Sequence, residues 1–303
     1  MTMPTLLDIA KQNGSDAVAG LIEETSKASP EITLGFARTI KGLNYKTLVR
    51  TGLPTVGFRN ANEGYAASKA TYENRLVETY IFNPRWECDR AVADHHEDGA
   101  AAFIALEAAA IMEAAFQALG SQFYYGTSSD SKGFPGLEAA VDTTNMVVDA
   151  TGTTSNTGSS VWAVKFGPKD VAWVWGQAGQ ISMEDPTIER LLDGSSNPYS
   201  AYCQELLAYP GLQVGNTSCI GKIKNLTADS GKGLTDNLIY DLLSKFQAGV
   251  KPDMLLMNRR SLKQLRQSRT ATNPTGSPAP IPTEIEGIPI HLTDSILSTE
   301  AIA

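Results

Sequence analysis

The sequence predicts an α+β fold, and three stretches carry that prediction. Asp94 to Leu119, with its string HHEDGAAAFIALEAAAIMEAAFQAL, reads as one long helix that Gly120 ends as a C-cap. Val161 to Phe166 and Val171 to Trp175 flank Gly167-Pro168-Lys169-Asp170, the pattern of two strands joined by a hairpin turn. The closing stretch, Lys251 to Leu297, alternates strand, helix, loop and strand.

Taken in order, Thr5 to Lys27 is amphipathic and reads as two helical pieces broken near Asn13-Gly14, with Val18, Leu21 and Ile22 forming the second stripe. Arg38 to Arg90 alternates in places (Tyr45, Thr47, Val49; then Leu76, Glu78, Tyr80, Phe82) and is punctuated by glycines. It reads as two long strands joined by an irregular loop. Such a hairpin has too little apolar content for a core of its own and must lie on something else. In the long helix, Phe103, Ile104, Ile111, Phe116 and Leu119 supply bulk, while the alanines favour helix and let neighbours approach closely. Thr151 to Ser160 is a connector, Gln180 to Met183 a further strand, and Asp193 to Ser200 a loop. Thr235 caps a helix from Asp236 to Phe246 whose Leu238, Ile239, Leu242, Leu243 and Phe246 share a face.

The closing stretch is the most specific. Met254 to Met257 is a continuous apolar run of strand length; Leu262 and Leu265 then fall at helical spacing; Thr270 to Thr283 is proline-rich. Ile285 to Leu292 returns to strand, with a turn at Glu286-Gly287.

Composition excludes several functions. With 42% hydrophobic and 19% charged residues, the chain of 303 residues is an ordinary globular protein with a sizeable core. A formal charge of −8 argues against general nucleic-acid affinity, which rests on phosphate neutralisation by Lys and Arg. Met1 to Gly20 lacks a basic start followed by an apolar run, so no signal peptide is expected, and the protein is expected in a cytosol-like compartment. Glu107 and Glu113 interrupt the most apolar stretch, so no membrane partner is expected. Cys88, Cys203 and Cys219 have no metal-ligand spacing and read as buried thiols.

The candidate sites are weak. Ser230-Gly-Lys-Gly233 and Gly221-Lys222 lack the second glycine and the Ser/Thr of a phosphate loop, and read as turns before a helix and a strand. His95-His96 with Glu97-Asp98 lacks the i, i+4 spacing of helical zinc ligands. There is no Gly-x-Ser-x-Gly elbow and no cysteine with a nearby histidine. Catalytic, cofactor-binding and metal residues are therefore expected to be none. Arg259, Arg260, Lys263, Arg266 and Arg269 cluster near the closing helix, and a solvated face or an inter-subunit contact explains them better than nucleic acid. Trp162, Phe166, Trp173 and Trp175 read as core packing.

Charge is unevenly partitioned. Arg38 to Arg90 holds nine Lys/Arg against five Asp/Glu, a net +4, which leaves −12 for the rest. Asp94 to Leu119 holds Asp94, Glu97, Asp98, Glu107 and Glu113 and no basic residue. A basic segment beside an acidic one suggests pairing, within a chain or between copies.

These strings in this order resemble the phage major capsid proteins of the HK97-like fold. The closing KPDMLLMNRRSLKQL and IEGIPIHLTDSI match that family's final unit; TIKGLNYKTLVRTGLPTVGFRNANEG with ATYENRLVETYIFNPRWECD resembles its E-loop; FYYGT followed by GFPGL resembles the segment after its spine helix. The resemblance implies an N-terminal arm (1–37), an E-loop (38–90), a P domain (91–145) with spine helix 94–119, an A domain with some P-domain strands (146–284), and a return strand (285–303). It implies hexamers and pentamers closing into an icosahedral shell around double-stranded DNA in the virion, assembled in the host cytoplasm. The implied partners are a portal protein, a separate scaffolding protein, a decoration protein, and DNA held without sequence specificity. Relatives cross-link through an E-loop lysine; Lys41, Lys46 and Lys69 are available, but no acceptor aligns and no cross-link is predicted. The E-loop basics Lys41, Lys46, Arg50, Arg59, Lys69 and Arg75 are expected to face the spine acids Asp94, Glu97, Asp98, Glu107 and Glu113 of a neighbouring copy. An encapsulin-like cargo compartment shares the fold and is the alternative; a soluble enzyme with a scattered site is the unrelated one.

Overall fold

The computed structural model describes residues 3–13, 25–141, 145–179, 181–274 and 276–302. In chain order they form α1 (Leu6–Gln12), α2 (Pro30–Leu34), β1 (Ala37–Thr39), β2 (Asn44–Gly52), β3 (Thr71–Glu78), β4 (Arg85–Asp89), α3 (Arg90–Ala93) and α4 (Ala100–Tyr125). Then follow α5 (Leu137–Ala140), β5 (Val147–Asp149), β6 (Val161–Val164), β7 (Val171–Trp175), β8 (Ser182–Met183), β9 (Thr187–Leu192), β10 (Pro198–Leu207), β11 (Pro210–Val214) and β12 (Ile220–Lys224). The chain closes with α6 (Asp236–Ser244), β13 (Met254–Met257), α7 (Arg259–Ala271), β14 (Glu284–Ile285) and β15 (Ile288–Leu292). The mixed class is as the sequence predicts.

A six-stranded sheet, β14-β15-β13-β6-β12-β5, is the centre. Its two central strands, β13 and β6, are apolar and buried at every position because both faces are covered. Val161, Ala163, Leu255 and Met257 point to a core with Ile239, Leu242 and Leu265 of α6 and α7. The alternate residues Trp162, Val164, Met254 and Leu256 point to a second core with Leu119, Phe123 and Tyr124 of α4 and Trp173 of β7. In that second core Phe123 stacks on Trp173 with centroids 5.2 Å apart, and Phe134 meets the same indole edge-on at 5.7 Å. A third core gathers Ile9, Trp86, Cys88, Ala93 and Phe103. The two ends of α4 are thus anchored in different cores, while Ala101, Ala105 and Ala109 between them are exposed.

The long helix differs from its sequence-based bounds at both ends. Asp94 to Asp98 lie outside it: Asp89 caps the short α3 by accepting from the Ala91 amide, and Gly99 at φ 85 breaks the chain before α4 begins. At the other end Gly120 does not stop the helix. A Cβ there would lie 2.3 Å from Ser295 Oγ and 2.8 Å from Glu31 Oε1, so its glycine serves close approach. Gly126, at φ 54, ends the helix six residues later.

The expected hairpin Val161–Phe166/Val171–Trp175 is also corrected. Gly167 to Asp170 do make a turn, with the Gly167 amide donating to Val171. The strands then part: β6 pairs β12 and β13, while β7 pairs β1 and β11 in a three-stranded sheet. Each has both edges taken by other strands, so neither is free for the other. Of the expected loop Asp193–Ser200, residues 193–197 turn the hairpin β9–β10 and Pro198 to Ser200 already belong to β10, which also pairs β4 and β8. Gly221-Lys222 lies inside β12, not before it, and α6 ends at Ser244, short of Phe246. Of the two N-terminal helical pieces, the first is α1; Val18, Leu21 and Ile22 of the second lie outside the described residues.

The closing unit forms as read. Asn258 caps α7 by accepting from the Ser261 amide, β13 and β15 pair in parallel, and Glu286-Gly287, at φ 52 and 69, makes the tight turn between β14 and β15. The proline-rich span is tied back to α7: Arg266 Nε donates to Ala279 O at 2.8 Å, and the Ala279 amide donates to Thr270 Oγ1 at 3.0 Å.

Candidate assembly surfaces

β2 and β3 form a two-stranded antiparallel ribbon joined by the long segment 53–70. Its root is held by the body. The Thr79 amide donates to Leu43 O at 2.8 Å and the Tyr80 amide to Pro210 O at 2.8 Å. Tyr45 OH donates to Gln213 Oε1, and Arg38 sits 5.7 Å over the Tyr45 ring. Its tip is different: Leu53, Val56 and Phe58 are 73%, 85% and 106% exposed.

Lys41, Lys46, Arg50, Arg59 and Lys69 are exposed along this ribbon and its loop. Arg59 donates to Glu63 O of the same loop at 2.8 Å, and Arg75 is half-buried, 4.0 Å from Glu73. The acids separate into two groups. Asp94, Glu97 and Asp98 are exposed in the turn before α4, Asp94 lying 3.6 Å from Arg90. Glu107 and Glu113 instead serve the chain's own N-terminal segment. Glu113 Oε1 accepts from the Lys27 amide at 3.0 Å and from Gln117 Nε2, and these bonds hold its pKa below the usual value. Glu107 is raised by burial, against a hydrogen bond from Gln12. Among the described residues, no ion pair joins these ribbon basics to these acids within one chain.

The closing-helix cluster is divided as well. Arg260 donates to the Ser298, Thr157 and Leu226 carbonyls, Arg266 to Ala279, and Arg269 makes a two-pronged pair with Asp236 at 2.6 and 2.8 Å. Three of the five cations therefore brace their own chain instead of forming a solvated face.

The buried polar groups that sequence reasoning missed surround the last turn of α4. Glu31 of α2 is 0% exposed; its Oε1 accepts from Ser295 Oγ at 2.6 Å and its Oε2 from Tyr124 OH at 3.4 Å. Its backbone carbonyl accepts from Trp173 Nε1 at 2.9 Å. Next door, Glu300 Oε1 accepts from Tyr125 OH and Ser160 Oγ, both at 2.7 Å. Burial raises the pKa of both carboxyls, and Tyr124 is pushed well above the usual tyrosine value. The arm and the C-terminal tail are thereby clasped to adjacent tyrosines of one helix. The adjacency Tyr124-Tyr125 is visible in the sequence, but nothing there pairs it with acids at positions 31 and 300.

Among the described residues no cluster of three His, Cys, Asp or Glu is arranged to hold a metal ion. His96 is buried and its Nδ1 accepts from the Asp98 amide, while His95 Nδ1 lies 2.7 Å from Ala91 O. The cysteines are free and buried; burial pushes Cys88 up to about 11 and Cys219, beside Asp170, up to about 12, so neither is a ready nucleophile. Among the described residues α4 and its following turn have the length and mean hydropathy, 1.6, of a membrane span. The ends of α4 lie in protein cores.

The geometry is that of a subunit with a braced body and an unpartnered ribbon, and the comparisons agree. The family model for major capsid protein GP7 matches residues 12–303. The chain belongs to this family. It is a capsid shell protein, and its place is the virion capsid. Among solved structures, one from bacteriophage Epsilon15 is similar at 22% identity and TM-score 0.75, covering 99% of this chain and 97% of the other. That likeness shows the shared HK97-like fold. A structure from Mycobacterium phage Adephagia (11% identity, TM-score 0.49, 73% and 98% covered) and the SrpI encapsulin of Synechococcus elongatus PCC 7942 (9%, 0.47, 75% and 97%) are more distant. No curated protein matches. Family membership thus favours the capsid over the encapsulin-like compartment, and makes the chain a structural protein.

Proposed function

We propose that this capsid protein forms hexamers and pentamers that close into an icosahedral shell around packaged double-stranded DNA. The observation that carries the reading is the ribbon: a subunit that functioned alone would gain nothing from projecting Leu53, Val56 and Phe58 into solvent. In this reading residues 1–37 are the arm, 38–90 the E-loop, 91–145 the P domain with α4 as its spine, 146–284 the A domain with some P-domain strands, and 285–303 the return to the P domain. The exposed basics Lys41, Lys46, Arg50, Arg59 and Lys69 lie over a neighbour's Asp94, Glu97 and Asp98, with Arg75 beside them. Glu107 and Glu113 hold the arm. Each exposed pair contributes only about 0–1 kcal/mol, so register comes from repetition over many contacts.

A portal protein, a separate scaffolding protein and a decoration protein complete the particle, which assembles in the host cytoplasm without a membrane partner. DNA is enclosed without sequence specificity; a formal charge of −8 supports weak adhesion to the packaged polymer. Electron microscopy of the purified protein tests the reading. Closed icosahedral shells are expected. A stable monomer by light scattering overturns it, and shells that take up cargo protein through an inner groove instead of DNA return the compartment alternative.

A further inference from the structure

The register of the ribbon sorts its side chains into two faces of different character. Lys46 lies opposite Leu76, Leu48 opposite Asn74 and Arg50 opposite Tyr72, and directly opposed residues of an antiparallel pair share a face. One face therefore carries Lys46, Leu48, Arg50, Tyr72 and Leu76, together with Asn44, Asn74 and, at its root end, the exposed Glu78. Its three apolar members are 68%, 59% and 50% exposed for Leu48, Tyr72 and Leu76. The other face carries Tyr45, Thr47, Val49, Glu73, Arg75 and Val77. There the groups are met within the chain: Arg75 faces Glu73, Thr47 Oγ1 donates to Arg75 O at 3.2 Å, Tyr45 reaches Gln213, and Val77 is 7% exposed.

A stripe of three large apolar side chains flanked by two cations is an interaction surface. The charge of the chain says what it fits. From position 91 to 131 there is no Lys or Arg, and the exposed Asp94, Glu97 and Asp98 precede the exposed Ala101, Ala105 and Ala109, which share one side of α4 at a spacing of four. Small side chains beside a cluster of acids give the apolar stripe room and the cations a counter-charge. We infer that the Lys46/Leu48/Arg50/Tyr72/Leu76 face, and not the Arg75 face, seats on the acidic turn and alanine side of α4 in a second copy of this chain. The inference rests on the shell reading above and fixes which side of the ribbon carries the contact. Ribbon on one copy and α4 on the next is a heterologous contact, the kind that closes into rings.

The test uses full-length protein and counts particles by electron microscopy and sedimentation. Charge reversal by Lys46→Glu with Arg50→Glu is expected to lower particle yield about tenfold or more, because it sets like charges against each other. Arg75→Glu is expected to stay within about twofold of the parent, as a surface change away from the contact. Adding Asp94→Lys, Glu97→Lys and Asp98→Lys to the first variant is expected to restore particles. Normal yield from the first variant with loss from Arg75→Glu overturns the face assignment and leaves the shell reading standing; loss without rescue overturns the acidic seat. Parent protein that forms no particles is a failure of the shell reading itself. The melting temperature of the unassembled first variant is expected to match the parent, and a matching fall with assembly overturns the inference, since the face would then be packed within its own subunit.

Discussion

At the last turn of α4, Tyr124 meets the buried carboxyl of Glu31 and Tyr125 the half-buried one of Glu300, whereas at the tip of the ribbon Leu53, Val56 and Phe58 stand 73%, 85% and 106% exposed. The first region joins the arm, the long helix, β7 and the tail through groups wholly or partly withdrawn from water. The second has backbone pairing at its root and apolar side chains without a core. Stability is therefore concentrated where chain ends converge, and recognition where the chain leaves the body. Substitutions should divide the same way, acting on the fold at the clasp and on assembly at the ribbon.

The largest effect is expected at Trp173. Its indole is 1% exposed, stacks on Phe123, and donates to the Glu31 carbonyl. Trp173→Ala removes that volume and strands a buried acceptor, so a loss of about 3–5 kcal/mol is expected in denaturant unfolding of the unassembled subunit. A loss below about 1 kcal/mol would show that the second core is not where stability lies. Gly120→Ala comes next. Alanine normally gains roughly 1 kcal/mol over glycine inside a helix. Here its methyl would sit 2.3 Å from Ser295 Oγ in a closed site, and overpacking costs about 1–3 kcal/mol. Net destabilisation of about 1–2 kcal/mol is expected; a stabilised variant would mean the clasp is loosely packed.

Protons should read the clasp directly. Among the described residues Glu31 is faced by the hydroxyls of Ser295, Thr293 and Tyr124, and burial raises its pKa above the ordinary 4.5. The native state then holds the proton more tightly than the unfolded chain does. Its contribution is fully present below the ordinary value and is lost as pH rises through the raised native one. Glu300 behaves in the same sense. Glu31→Gln is expected to flatten part of this fall, so the variant should gain on the parent as pH rises above the ordinary 4.5 in melting experiments. Depressed carboxyls such as Asp193 act oppositely in both proteins and drop out of the difference. A variant that loses ground as pH rises would show that the Glu31 carboxylate is stabilised by its hydroxyl donors more than it is penalised by burial.

Much of this architecture was legible in the chain, and the failures have physical causes. Met254 to Met257, the Thr235 and Asn258 caps and the Glu286-Gly287 turn are local signals, and local signals survive folding. Gly120 reads as a stop because a glycine near a helix end is a stop signal by composition, while its role here depends on Glu31 and Ser295, remote in sequence. The turn Gly167–Asp170 and its two flanking strands form where the sequence predicts them, but the strands do not pair with each other, since pairing is decided by which edges other strands have already occupied. Among the candidate site residues, the uneven charge singled out the ribbon; it could not reveal that Arg75 and Glu73 face each other or that Glu113 holds the Lys27 amide. Charge is countable in a sequence, but the face it occupies is set by register.

The smallest effect on the fold is expected where the effect on assembly should be greatest. Phe58 is fully exposed, in a segment that follows β2 and precedes β3, and the pairing of those strands runs from Asn44–Glu78 to Gly52–Thr71 without it. Phe58→Ser removes no buried area from the subunit, so the unfolding free energy should move by less than about 0.5 kcal/mol. In a shell the same side chain has somewhere to go, and an aromatic anchor at an interface is worth about 2 kcal/mol or more. Particle yield should then fall steeply at constant subunit stability. Equal yields from parent and variant would confine the contact to the paired part of the ribbon, where Leu48, Tyr72 and Leu76 lie, and a fall in subunit stability would mean that the tip folds back onto its own body in solution.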